Sequence, residues 1–162
     1  MSLSRNNFAY IDGANLYKGV AGDGWKLDYR RFRVWLEEKY GVKRAYLFIG
    51  LVAKHKDLYT RLQEQGFTLV FKETTRDGEG NVKGNCDADL VLRAVVDVYE
   101  QNCDKAIIVS GDGDYASLVV FLSEKRKLVS ILSPNKHCSI LLKRTNVAIG
   151  YLMDYRPRIG QK

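Results

Sequence analysis

Lys105-Ala106-Ile107-Ile108-Val109-Ser110-Gly111-Asp112-Gly113-Asp114 is the stretch whose reading decides the fold. An uninterrupted apolar run of this length is what a strand buried on both faces requires. It runs straight into a Gly-Asp-Gly-Asp loop, after which Tyr115 to Lys127 reads as a helix. The segment before it, Asp87 to Gln101, predicts another helix, with Leu90, Val91, Ala94, Val95 and Val98 as its apolar stripe. Helix, buried strand, acidic loop and helix in immediate succession form the repeating unit of a parallel sheet covered on both faces.

The same alternation extends in both directions. Phe8 to Ile11 is a buried strand closing on Asp12-Gly13, followed by a glycine-rich segment (Gly19 to Gly24) that reads as a loop. Asp28 then caps a helix from Tyr29 to Tyr40, with Gly41 past its end. Lys43–Ile49 is a second strand, residues 54–65 a helix stopped by Gly66, and Phe67–Phe71 a third strand. Thr74 to Asn85 is polar and glycine-containing, a loop or exposed hairpin. Beyond the deciding stretch come a strand at Leu128–Leu132, a short helix at Ser139–Arg144 and a last strand at Val147–Leu152. The expectation is one α/β domain over residues 1–162, its core about 8–152, with a short basic tail around Arg156-Pro-Arg158.

With 162 residues, 46% of them hydrophobic, the chain suffices for one real core and not comfortably for two. No apolar run approaches the roughly 20 residues of a membrane span, and no hydrophobic segment precedes the first strand. Cys86, Cys103 and Cys138 are odd in number and lack any C-x-x-C pair, which argues against a disulfide framework or a zinc site. A cytoplasmic protein without a membrane partner is expected. The net charge is +7, yet five of the 19 acids crowd into three short segments. A basic surface around an acidic pocket suits a phosphate polyanion handled through bound cations.

Those segments are expected to meet. Ligands of an open parallel sheet bind at the carboxyl ends of its strands, near the point where strand order reverses. Asp12 lies just past the first strand, and Asp112 and Asp114 just past the fourth. Asp87 and Asp89 open the helix leading into that fourth strand, so they return to the same edge. Taken singly, Asp87 or Asp89 is explained as a helix cap, Asp12-Gly13 as a turn and Asp114 as a cap. Together, such carboxylates would repel one another and call for a counter-charge. Oxygen donors without His or Cys indicate a hard cation, Mg²⁺ or Mn²⁺, as one or two ions. An EF-hand is excluded, because Ser117 and Ser123 stand where its loop needs glycine and glutamate. No G-x-G-x-x-G or Walker lysine motif is present.

Three segments, Tyr10-Ile-Asp-Gly-Ala-Asn-Leu16, Lys83-Gly-Asn-Cys-Asp-Ala-Asp-Leu-Val-Leu92 and Ile108-Val-Ser-Gly-Asp-Gly-Asp-Tyr115, resemble in content, order and separation those of the NYN branch of PIN-like nucleases, the LabA-like group. The resemblance spans about residues 8–152. It implies a Rossmann-like three-layer α/β/α sandwich around a mainly parallel sheet of five to six strands. It also implies Mg²⁺- or Mn²⁺-dependent cleavage of RNA phosphodiesters. By motif position Asp12, Asp87, Asp112 and Asp114 would be catalytic, the first three as core metal ligands and Asp114 as a ligand directly or through water, with Asp89 an accessory acid that also counts among the metal residues. Asn15 and Ser110 would hold the carboxylates, and Lys83 would contact a phosphate. Asn85-Cys86 stands where many relatives run from glycine through one apolar residue to the acid, so Asp87 and Asp89 both compete for the inward position, Asp87 preferred. A non-catalytic metal- or RNA-binding regulatory module and a small-molecule phosphatase or phosphodiesterase are the alternatives. The oligomeric state, including a homo-oligomer, is left open.

Overall fold

The computed structural model describes residues 5–162 apart from 74, 77, 80, 81, 84 and 85, and apart from the side chains of 73, 75, 76, 82 and 83. Six strands form the main sheet: β1 (Asn7–Asp12), β2 (Val42–Leu51), β3 (Phe67–Glu73), β6 (Ala106–Val109), β7 (Leu128–Ser133) and β8 (Ile149–Tyr151). Their order is β3-β2-β1-β6-β7-β8 and every pairing is parallel. The order reverses between β1 and β6, the switch point of a doubly wound sheet. The polar 74–85 segment contributes a separate antiparallel pair, β4 (Thr75–Arg76) with β5 (Val82–Lys83); its other residues, Glu79 and Gly78 apart, fall outside the described ones.

Side-chain alternation along the strands divides the core. Ala9, Ile11, Leu47, Ile107, Val109 and Leu132 face α1 (Gly13–Gly22), α2 (Tyr29–Tyr40) and α3 (Lys56–Glu64). Phe8, Tyr10, Tyr46, Phe48, Ala106 and Ile108 face α4 (Asp87–Tyr99) and α5 (Ala116–Glu124). A smaller cluster joins Val119 and Ile131 to Leu142 of α6 (Ile140–Lys143). The result is the three-layer α/β/α arrangement. No helix among the described residues is long and apolar enough to cross a membrane.

The structure departs from the sequence reading in three places. Residues 13–22 form α1 rather than a turn and a loop. Leu16 and Val20, one helical turn apart, are buried, and the Asp12 side chain accepts the Asn15 N–H at 3.1 Å as an N-cap. Glycine costs helix stability, which is why the segment resembled a loop. Here it is required by close approach: a Cβ on Gly13 would lie 2.8 Å from the Phe48 carbonyl oxygen, and one on Gly19 would lie 2.5 Å from Pro134. Secondly, α5 ends at Glu124 rather than Lys127, because Arg126 adopts a left-handed φ of 57° that turns the chain into β7. Thirdly, the Arg156-Pro-Arg158 segment lies in α7 (Arg156–Ile159), whose Ile159 is fully buried in the core containing Phe32 and Trp35. The Asp28 N–H donates to the Ile159 carbonyl at 2.8 Å.

The far end of α4 is fixed by a buried polar knot. Asp97, 1% exposed, accepts from the Tyr10 hydroxyl at 2.7 Å and from Asn102 Nδ2 at 2.9 Å, with Arg93 3.9 Å away. This ties α4 to the centre of β1 and thereby sets where its first turn, with Asp87, emerges.

Gly13→Ala should destabilise the protein by roughly 1–3 kcal/mol, read as a lowered urea midpoint, because the added methyl meets backbone that cannot swing away. An unchanged or raised midpoint would show that α1 does not need this approach to β2, since alanine is otherwise the better helix former.

Candidate active site

The site is assembled by two strand ends and one helix start. Ile11 of β1 pairs with Val109 of β6, so the residues that follow, Asp12 and Ser110, leave the sheet at the same level. Asp87 is the first residue of α4. Asp12, Asp87 and Asp112 each place a carboxylate oxygen within 4.8 Å of the other two. Asp12 is 8% exposed, Asp87 and Asp112 are half-buried, and Asp114 is exposed.

Hydrogen bonds lock the loops that carry these acids. Asn15 spans both strand ends: its backbone N–H donates to Asp12 Oδ1, and its Oδ1 accepts the Gly111 N–H at 3.0 Å. Ser110 Oγ accepts the Asp112 N–H at 3.1 Å, and Asp112 Oδ1 accepts the Asp114 N–H at 2.9 Å. A Cβ on Gly111 would sit 2.8 Å from Ser133 Oγ, so a larger residue there would require the buried Ser133 side chain to shift.

A residue that the sequence reading did not single out stands at the centre. Tyr115, fully buried at the start of α5, directs its hydroxyl to Asp12 Oδ2 at 3.0 Å and to Asp87 Oδ1 at 2.7 Å. One hydroxyl proton thus faces two carboxylates from different elements. Burial, followed by the charge of Asp12, pushes the Tyr115 phenol far above its ordinary range, so it remains a donor. The available signal was a hydroxyl-bearing aromatic directly after Gly-Asp-Gly-Asp, which periodicity alone assigns to the core.

Asp89 is not part of this grouping. It lies 3.8 Å from Lys72 of β3, an ion pair with both partners well exposed, so Asp87 takes the inward position. Asp114 lies outside the trio but within its field: its carboxyl is raised above the usual range, first by the charge of Asp112 and further by Asp87. The side chain of Lys83 lies outside the described residues.

The carboxylates strain one another. Burial raises the Asp12 carboxyl above its usual range; the Asn15 N–H and Tyr115 hydroxyl pull it down, and Asp87 and Asp112 push it up again. An acid whose folded-state pKa is raised makes the fold less stable as pH climbs past the unfolded value. Among the described residues no lysine or arginine forms a salt bridge with Asp12 or Asp112. Such a set of oxygen donors is consistent with a divalent cation.

Two stability effects of opposite sign are expected at neutral pH without added metal. Asp112→Asn keeps the oxygen that accepts from Asp114 and removes a charge, so the thermal midpoint should rise by about 2–4 °C, the shift that ~1 kcal/mol produces at this chain length. Tyr115→Phe should lower stability by roughly 1–3 kcal/mol, because the buried Asp12 carboxylate and the half-buried Asp87 lose the hydroxyl they share. Scanning calorimetry on both variants checks the pair; a destabilised Asp112→Asn would show that repulsion is not a net cost in this cluster.

Three comparisons bear on kinship. A model of the NYN domain matches residues 9–149, from β1 to the start of β8 and including all the aspartate segments. The low amplitude and bright protein LabA of Synechococcus elongatus is 25% identical over 133 residues, which cover 76% of this chain and 71% of that protein. A crystal structure of a protein of unknown function from Vibrio parahaemolyticus superposes with a TM-score of 0.79 at 22% identity, over 99% of both chains, and so shares the fold. With most of its length matched by that domain model, and one aspartate from each of its three segments converging at one sheet edge, the chain belongs to the NYN domain family.

Proposed function

We propose that this protein is a divalent-metal-dependent nuclease that hydrolyses RNA phosphodiester bonds at the Asp12–Asp87–Asp112 cluster. The observation that carries the reading is the meeting of three carboxylates from three separate segments within 4.8 Å. In this reading Asp12, Asp87 and Asp112 hold one or two Mg²⁺ or Mn²⁺ ions, and Asp114 adds a ligand directly or through water. When bound, such an ion polarises a phosphoryl oxygen and lowers the pKa of a coordinated water.

The chain's own groups prepare that chemistry. Tyr115 and the Asn15 N–H fix the two oxygens of Asp12, so its carboxylate is not free to rotate toward solvent. Tyr115 also fixes the separation of Asp12 from Asp87. Asn15 Oδ1 and Ser110 Oγ hold the loop bearing Asp112. Preorganisation of this kind spares the site a reorganisation when charge develops. The excess of +7 supports a long polyanion as substrate over a mononucleotide. Lys83, just upstream of Asp87, is the remaining candidate phosphate contact, while Asp89 pairs with Lys72 outside the carboxylate trio.

Purified protein with Mn²⁺ should cut single-stranded or structured RNA. Asp12→Asn and Asp112→Asn should abolish cutting, and Asn15→Ala should cost about 10–100-fold in metal affinity or rate, as removal of a group orienting a ligand commonly does. Gel-resolved cleavage of labelled RNA, alongside Mn²⁺ titration calorimetry, measures these effects. Cutting that survives both Asp12→Asn and chelation would overturn the reading. Metal and RNA binding without turnover over a broad panel would replace it with a binding module, and hydrolysis of mononucleotides with indifference to RNA would replace it with a phosphodiesterase.

A further inference from the structure

Beside the carboxylates, across Asn15 and Gly111, lies a crevice of about 250 Å³ between α1 and the loop that follows β7. Its walls include Asn15, Lys18, Ser133, Asn135 and His137, and no acid lines it. It opens at the carboxyl ends of β6 and β7, next to the reversal of strand order, where open α/β sheets take ligands.

A count of donors and acceptors gives the chemistry of its occupant. The side-chain amide acceptors are already used: Asn15 Oδ1 takes the Gly111 N–H, and Asn135 Oδ1 takes the His137 N–H at 2.9 Å. The Ser133 hydroxyl donates to the Asn135 carbonyl at 2.7 Å, and Asn135 Nδ2 donates to the Gly19 carbonyl at 3.0 Å. These bonds brace the walls and leave donors over. Asn15 Nδ2, the Lys18 ammonium and the His137 ring have no hydrogen-bond or acidic partner among the described residues. A braced crevice whose solvent-facing rim carries donors and one full positive charge, with no acid in its lining, is complementary to an anion.

We propose that this crevice is a phosphate subsite, which grips a backbone phosphodiester of the nucleic acid next to the bond held at the carboxylates. The inference rests on the nuclease reading and adds to it a direction for the strand: across Asn15, from the acidic cluster onto the Lys18–His137 side of α1. Asn15 then serves both halves, with its Oδ1 on the Gly111 loop and its Nδ2 on the phosphate. A bare phosphate alone would find few contacts here, whereas a chain continuing to the metal-binding acids would be held at two points.

The test uses the full chain and a fluorescent single-stranded RNA, with binding followed by anisotropy in Ca²⁺ over a range of salt concentrations. Lys18→Ala/His137→Ala is compared with Lys105→Ala, a charge removed at the opposite edge of the sheet. All the altered side chains are solvent-facing, so the thermal midpoints should stay near wild type. The double variant should weaken RNA binding roughly tenfold or more, as loss of a charge-assisted contact does, and should lower the salt slope by about one. Mn²⁺ affinity and hydrolysis of a small chromogenic phosphodiester should remain as in wild type, because the subsite acts only on a longer strand. An equal loss in Lys105→Ala, or none in the double variant, overturns the subsite. If wild type binds RNA through Lys18 and His137 but cuts nothing, the subsite stands and the hydrolytic reading falls. If it cuts RNA and the double variant binds and cuts equally well, the reverse holds.

Discussion

The parallel pairing of β1 with β6 is the constraint on which the rest depends. It is four residues long, Phe8 to Ile11 against Ala106 to Val109, and joins segments nearly a hundred positions apart. Two of the three clustered acids, Asp12 and Asp112, sit at or just past the ends of these two strands. Because the pairing ends level, Asp12 and the Ser110-Gly111-Asp112 turn leave the sheet side by side, and Asn15 can reach from one to the other. A slip of one position would turn Asp12 to the opposite face, away from Tyr115 and α4. The burial of both strands on both faces prevents such a slip, since Ile11, Ile107 and Val109 belong to one core and Tyr10 and Ile108 to the other.

Around that pairing, packing has been arranged so that like charges can be held together. Carboxylates brought this close disfavour the folded state, and the protein meets this with oriented donors: the Asn15 N–H and the Tyr115 hydroxyl on Asp12, and the same hydroxyl on Asp87. The donors stabilise the charges without neutralising them. Proteins commonly accept such local cost where function needs it and recover stability elsewhere. Here the recovery comes from two extensive cores and from the Tyr10–Asp97 knot, which fixes the far end of the helix whose near end bears Asp87.

Helix α1 shows how backbone economy serves the site. Gly13 lets the helix start directly against β2, and Gly19 lets it lie against Pro134. The two contacts place Asn15 over the gap between β1 and β6 and Lys18 at the rim of the neighbouring crevice. A bulkier helix would stand off the sheet and carry Asn15 away from the Gly111 N–H.

The sequence by itself determined the layers, the strands and three of the acids. Buried strands of the Ile107–Val109 kind and stripes such as Leu90, Ala94 and Val98 are local patterns with a fixed period, so they can be read without knowing their partners. Strand-end position then pointed to Asp12, Asp112 and Asp114, and helix start to Asp87 and Asp89 alike. Local pattern failed where a residue's role is set by what lies across from it. The glycines of α1 resembled a loop because only the Phe48 carbonyl and Pro134 reveal why they are needed. The tail residue Ile159 is buried because a pocket beside Phe32 and Trp35 receives it. Asp89 was separated from Asp87 by Lys72 on a distant strand, and Tyr115 was revealed as a shared donor only by two acids 28 and 103 positions away. Periodicity records which face a residue occupies; tertiary structure alone decides which atoms it meets there, and the chemistry of this site depends on those meetings.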